Sequence, residues 1–201
     1  MKIHKELTQG TDEWLAMRLG KVTASNFSAV LAKGQGKTRA TYMIRLCAEI
    51  LTNQSQPHFK SAAMERGNEV EDQARAMYQL NEAIDTESIG FVEHASGRIG
   101  VSPDDFVGQT GLLEIKCPNT TTQIGYVLAG KSPSTYKAQQ QGQLWICERE
   151  WCDFVSFDDR INGDASYFKV RVYRDEKYIK NLESECFRFI EELDVMVQKC
   201  L

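Results

Sequence analysis

The chain has 201 residues, 42% of them apolar and 26% charged, and 24 Lys and Arg face 28 Asp and Glu for a formal net charge of −4. This length supplies one sizeable core and leaves no room for a second large domain, so a single domain over 1–201 is expected. No run approaches the roughly 18 apolar residues of a membrane span, and the opening MKIHKELTQGTDEW has no apolar signal core, which points to a cytoplasmic protein.

Thr11, Asp12 and Glu13 open a short helix through an N-cap and first-turn acids, and Gly20 ends it. A second helix starts near Ser25. Gly34, Gly36, Lys37 and Thr38 resemble the end of a nucleotide phosphate loop, but that pattern needs a glycine where Leu31 stands and a strand where 26–32 reads as helix. The segment is therefore a basic loop. Helical spacing covers 38–51 and 61–80, separated by a polar loop at 53–60 that contains Pro57.

The middle of the chain is β. Segments 89–93, 99–101 and 112–117 are expected to form an antiparallel group, followed by helices at 120–129 and 134–148. Strands at 151–157 and 167–173 then join the sheet. The last element, 176–199, places Ile179, Leu182, Cys186, Phe189, Ile190, Leu193 and Met196 on one stripe of an amphipathic helix that packs on the sheet. The order predicts an α/β unit, a mixed sheet flanked by helices. Its six cysteines (Cys47, Cys117, Cys147, Cys152, Cys186 and Cys200) form no CxxC pair, which disfavours a disulfide framework, a zinc site and an iron–sulfur cluster.

The modest net charge conceals how charge is placed. Windows 14–48 and 115–147 contain no acid at all, yet they carry Arg18, Lys21, Lys33, Lys37, Arg39, Arg45, Lys116, Lys131 and Lys137. The other 15 basic residues therefore face all 28 acidic ones. A basic channel with an acidic exterior would produce this polarity, and such a channel suits nucleic acid.

The sharpest signal runs into the start of the second window, which contains its lysine. Asp104 follows Pro103, and after nine intervening residues comes Glu114-Ile115-Lys116 inside an apolar run. This is the spacing of PD-(D/E)xK nucleases and implies a restriction-endonuclease-like core. Side chains alternate along a strand, so Glu114 and Lys116 share one face roughly 7 Å apart. Asp104 closes on the same point from a neighbouring strand through 98–101. Two carboxylates suit Mg²⁺, which keeps sites for water and phosphate, and the lysine suits orienting or deprotonating the attacking water.

Four blocks extend the signal: DEWLAMRLGKVTAS at 12–25, ERGNEVEDQAR at 65–75, GVSPDDF with LLEIKCP at 100–118, and AQQQGQLW at 138–145. A weaker fifth is RDEKYI at 174–179. Together they resemble the phage lambda exonuclease and YqaJ-like viral recombinase family over nearly the whole chain. The resemblance implies a Mg²⁺-dependent exonuclease, with Mn²⁺ as a possible substitute, that degrades one strand of linear duplex DNA from the 5′ end. It would leave a 3′ single strand for recombination in a bacterial host, encoded by a phage or prophage.

The resemblance also assigns residues. Asp104, Glu114 and the Ile115 carbonyl would hold metal, Lys116 would be the catalytic lysine, and Glu71 would reach a second ion or its water. Gln141 and Trp145 match a QxxxY-like element. Gln139 is the second amide candidate, but residues two apart do not share a helix face, so Gln141 is favoured. Trp145 is read mainly as core. Arg18 and Ser25 match a pocket for the 5′-terminal phosphate, and Lys37 and Arg39 are candidate DNA contacts. A ring-shaped homotrimer around DNA and a single-strand annealing partner are implied as well. The alternatives are an endonuclease on the same fold or an inactive DNA-binding module. Loss of Asp104, Glu114 or Lys116 would mark the latter, and all three are present.

Overall fold

The computed structural model describes residues 1–32, 37–56 and 62–201, with every side chain in those spans except at 62–65, 67 and 68. Strand β1 (Lys2–His4) precedes helix α1 (Asp12–Arg18), where Thr11 caps the Trp14 N–H and Asp12 and Glu13 oppose the helix dipole. Gly20, at φ 65°, turns the chain into β2 (Val22–Thr23), and its N–H donates to the buried Glu49 carboxylate over 3.1 Å. A 3₁₀ turn (Ala24–Asn26) and the short α2 (Phe27–Val30) follow at the helix expected near Ser25. Next come α3 (Lys37–Thr52) and α4 (Ala62–Glu82), then strands β3 (Thr86–Ser88), β4 (Phe91–Glu93), β5 (Ile99–Val101), β6 (Asp105–Val107) and β7 (Gly111–Lys116). Helices α5 (Thr120–Ala129) and α6 (Lys137–Ile146) lead to β8 (Trp151–Phe157), β9 (Tyr167–Tyr173) and the long α7 (Glu176–Cys200). Gly34 and Gly36 of the expected basic loop, positions 57–60 of the expected polar loop and the helix start at Ser61 lie outside the described residues.

The strands form two sheets, ordered β1-β4-β5-β2 and β3-β6-β7-β8-β9. The single antiparallel group expected for 89–93, 99–101 and 112–117 is thus divided. Segments β4 and β5 pair in the smaller sheet, and β7 lies in the larger one between β6 and β8. The chain changes sheets within Ser102-Pro103-Asp104, where proline has no N–H to continue a ladder. Strand β7 runs parallel to β8 because α5 and α6 form the crossover between them.

Alternation on β7 divides its side chains between two cores. Leu112 enters the larger core with α2, α3, α6 and α7, whereas Leu113 and Ile115 enter a smaller one with Ala74 and Tyr78 of α4. The α7 stripe is buried from Ile179 to Leu193, but Met196 is only half-buried and the neighbouring Val197 takes the inner position. Among the described residues, no helix is long and apolar enough to cross a membrane.

Candidate active site

Glu114 leaves the middle of β7 toward α6 and is fully buried. Its carboxylate accepts from Lys116 Nζ and from Gln139 Nε2 (2.5 Å) at Oε1, and from Gln143 Nε2 (2.6 Å) at Oε2. Burial opposes the Lys116 charge, but Glu114 and Asp104 outweigh it and raise the ammonium above its ordinary range. Lys116 is thus held as a cation between the two carboxylates. Its Nζ also lies 5.5 Å from the centre of the Tyr136 ring.

Asp104 reaches the same strand from the turn between β5 and β6. Its Oδ2 accepts the Ile115 N–H over 2.5 Å, which fixes the carboxylate beside Glu114. Burial, then the charge of Glu114, pushes the Asp104 carboxyl well above the usual range. The next residue points the other way. Asp105 is fully buried and accepts from Arg75 (2.8 Å), Thr86 (2.6 Å) and Ser88 (2.8 Å), so it braces α4 against the sheet. Glu71 is held by Arg75 at 2.9 Å and lies near enough for its charge to act on both Asp104 and Cys117. The neighbouring Asp72, also paired with Arg75, is 91% exposed.

Among the described residues, no three His, Cys, Asp or Glu side chains converge as a complete ligand set. The oxygens of Asp104, Glu114 and Ile115 nevertheless fit Mg²⁺, which commonly uses one or two carboxylates and leaves the remaining positions to water and phosphate. Burial beside a second carboxylate already opposes ionisation of Asp104, and a cation would relieve that opposition.

A second feature adjoins this centre. Arg18, Lys21, Thr23, Ser25, Asn26, Tyr42 and Arg45 line one pocket between α1, β2 and α3, together with the single carboxylate of Glu49, and Lys21 pairs with Glu93 over 3.3 Å. Arg18 packs over Trp14 at 4.0 Å, and Arg45 lies 4.9 Å from the Tyr42 ring and donates to Asn26 over 3.2 Å. Burial lowers the Arg18 guanidinium to about 10, which leaves it cationic at neutral pH. Arg18 and Trp14 both donate to Ser102 Oγ, at 3.4 and 3.0 Å, and Gln9 donates to the Pro103 carbonyl over 2.9 Å. The cationic pocket is thereby bonded to the turn that carries Asp104.

Several expected contributors stand elsewhere. Gln141, the favoured amide, is buried and turned away: its Nε2 donates to the Tyr173 carbonyl and its Oε1 accepts from the Asp175 N–H, both at 2.8 Å. The face that meets Glu114 belongs to Gln139 and Gln143, one helical turn apart, a spacing visible in the sequence. Trp145 packs near Phe27 and His94, as core. Arg39 pairs with both oxygens of the half-exposed Glu192 on α7, at 2.6 and 3.0 Å. Lys37 is exposed at the start of α3. Tyr136, Trp14 and Ser102 were not singled out in sequence.

A mixed sheet flanked by helices, with Asp104, Glu114 and Lys116 converging at β7, is the restriction-endonuclease-like PD-(D/E)xK nuclease fold. The chain belongs to the YqaJ-like viral recombinase domain family, whose model matches residues 13–150. It is 41% identical to the alkaline exonuclease LHK-Exo of Laribacter hongkongensis, with a TM-score of 0.89 over 94% of this chain and 96% of that one. A complex of LHK-Exo with dAMP superimposes equally well, at a TM-score of 0.90. A phage-related exonuclease of Haemophilus somnus shares the fold at 16% identity, with a TM-score of 0.70 over 90% of this chain and 96% of that one. Among curated proteins, an uncharacterized protein of Acanthamoeba polyphaga mimivirus is 26% identical over 75% of this chain. The match spans 29% of that protein's length.

Proposed function

We propose that this chain, as one domain over 1–201, is a Mg²⁺-dependent 5′-to-3′ exonuclease that degrades one strand of linear duplex DNA and leaves a 3′ overhang for recombination. The observation that carries the reading is the junction at Ser102. A cationic pocket suited to a terminal phosphate is hydrogen-bonded to the turn bearing Asp104, so an end held at Arg18 is registered against Glu114 and Lys116. An enzyme that cuts internally has no need of such a pocket. The 41% identity to a solved alkaline exonuclease and that protein's complex with dAMP support the same class of substrate.

In this reading Asp104, Glu114 and the Ile115 carbonyl hold one ion and Glu71 serves a second. The bound cation, Mg²⁺ or Mn²⁺, acidifies the attacking water and offsets charge on the phosphate. Lys116, kept protonated by its carboxylates, positions that water and adds a fixed positive charge beside the reacting phosphate. Gln139, in the first turn of α6, holds Glu114 from that side and would contact the DNA strand there. Arg18 and Ser25 bind the 5′-terminal phosphate, and exposed Lys37 contacts the backbone further along. The protein works in the cytoplasm of a bacterial host, as a ring-shaped homotrimer that keeps the duplex enclosed. A single-strand annealing protein takes up the 3′ tail.

The test uses Mg²⁺ and four substrates: duplexes labelled at the 5′ or the 3′ end, a 5′-hydroxyl duplex, and a closed circle, with Lys116→Ala as control. Release from phosphorylated 5′ ends alone, with an intact circle and an inactive variant, is the expected result. Cutting of the circle establishes an endonuclease instead, and binding without cleavage establishes an inactive module.

A further inference from the structure

Gln143 has a position that packing alone does not explain. It lies on the buried side of α6 with no solvent exposure, surrounded by the largest core of the protein. A leucine or methionine fills such a site without leaving polar atoms to be satisfied. Its Nε2 donates to Glu114 Oε2 over 2.6 Å, but its Oε1 is buried with no hydrogen-bond partner among the described residues. Half of the amide is thus unpaired in the interior, which is unfavourable for folding, and the other half touches a single acceptor. The amide cannot turn over to satisfy Oε1, because that would set an oxygen against the carboxylate.

The carboxylate explains the amide. Oε1 of Glu114 already receives two donors, from Lys116 and Gln139, whereas Oε2 receives only Gln143. Each carboxylate oxygen offers about two acceptor directions. Oε1 is therefore filled, and the free direction belongs to Oε2, the oxygen whose orientation Gln143 sets. The amides at 139 and 143, one turn apart on α6, grip the two ends of one carboxylate and fix its plane before any ligand arrives. Gly142, between the two, lets α6 approach α2: a Cβ there would meet the Phe27 ring at 2.1 Å.

We propose that Gln143 is a positioning residue for the divalent cation: by donating to Glu114 Oε2 it presents the remaining acceptor direction of that oxygen to the ion, and it sets the affinity of the site. This rests on the reading of Glu114 as a metal ligand, and the test separates the two. Mn²⁺ binding without DNA is measured by electron paramagnetic resonance of the free ion, for the wild type and for Gln143→Leu, Gln143→Met and Glu114→Gln. Circular dichroism melts confirm that each variant is folded, and the two apolar variants guard against a misfit of either one. Mn²⁺ binding by both is expected to weaken about 10- to 100-fold, the usual effect of removing a partner of a ligand. The Mg²⁺ concentration for half-maximal cleavage rises in parallel, and the rate at saturating Mg²⁺ stays within about 3-fold. Wild-type Mn²⁺ affinity in a folded Gln143 variant, with binding lost in Glu114→Gln, overturns the role of Gln143 and leaves Glu114 as the ligand. Wild-type affinity in Glu114→Gln removes the metal reading and this proposal with it.

Discussion

Arg18 Nη1 and Ser102 Oγ stand 3.4 Å apart across 84 residues of sequence, and two residues beyond Ser102 is Asp104. The contact makes the distance between the Arg18 pocket and the carboxylates a property of the fold. Trp14 shares the same hydroxyl and also donates to the Gly90 carbonyl, so the turn is pinned to both α1 and the start of β4.

Phosphate discrimination follows from this junction. Arg18→Ala is expected to reduce the preference for a 5′-phosphate over a 5′-hydroxyl duplex roughly 10- to 100-fold, the value of a charge-assisted hydrogen bond or two. Arg45→Ala, which removes the other guanidinium lining the pocket, has the same direction and a smaller size. Burial lowers Arg18 only to about 10, so the guanidinium stays charged and the preference stays level from pH 7 to 9. Competition between the two duplexes at each pH reads both effects. A preference unchanged in Arg18→Ala rules the pocket out.

Two glutamines on α6, two residues apart, are expected to separate stability from activity. Gln141→Ala leaves the Tyr173 carbonyl and the Asp175 N–H without their buried partner and is expected to cost about 1–3 kcal/mol, with cleavage at wild-type rate below the melting range. Gln139→Ala has the opposite signature: a melting temperature near wild type and cleavage lowered roughly 10- to 100-fold, as for other groups that hold a metal ligand. Denaturant melts and initial rates on the two variants suffice, and equal loss of activity in both contradicts the division.

The same helix shows what was legible in the sequence. That Gln139 and Gln141 lie on different faces followed from helical geometry, but which face meets β7 depends on how α6 docks, which rests on contacts distant in sequence such as Phe27 against Gly142. Asp104, Glu114 and Lys116 were readable because strand alternation and the strand's own apolar frame are local. Helices α3, α4 and α7 were readable for the same reason, and their boundaries shift by at most a few residues. The short strands β1, β2, β3 and β6, two or three residues each, were not, since so few residues carry no periodicity and owe their pairing to distant partners. The division into two sheets was hidden in the same way. The ion pair of Arg39 was hidden too, because a basic residue in an acid-free window can still find an acid 153 residues later in Glu192.

Asp104 is expected to trade stability for function. Its carboxyl is raised above the ordinary range by burial and by Glu114, so ionisation at neutral pH opposes folding in the metal-free protein. Asp104→Asn keeps an oxygen for the Ile115 N–H and removes the charge. Without divalent ions its melting temperature should exceed that of the wild type, while cleavage is lost. Added Mg²⁺ should raise the wild-type melting temperature and leave the variant unchanged. A variant that melts below the metal-free wild type contradicts the account.

Asp158 offers a pH test remote from β7. It is fully buried and accepts from Arg66 (3.0 Å), Arg160 Nε (2.7 Å) and Thr120 (2.6 Å), tying α4 and α5 to the turn after β8. Burial pushes its carboxyl up, but the bonds from Arg160 and Thr120 outweigh burial and hold it at about 2. A lowered folded value means that the stabilisation is complete above the unfolded value of roughly 3.9 and disappears as pH falls through about 2. Arg160 is half open to solvent, so the contribution is on the order of 1–2 kcal/mol. Urea melts of the wild type and Asp158→Asn should therefore differ by a constant amount from pH 7 to about 5, and the gap should close as pH approaches 2. Parallel curves down to pH 2 would mean that the carboxylate charge contributes nothing to the tie, and that Asp158 acts there only as a neutral hydrogen-bond acceptor.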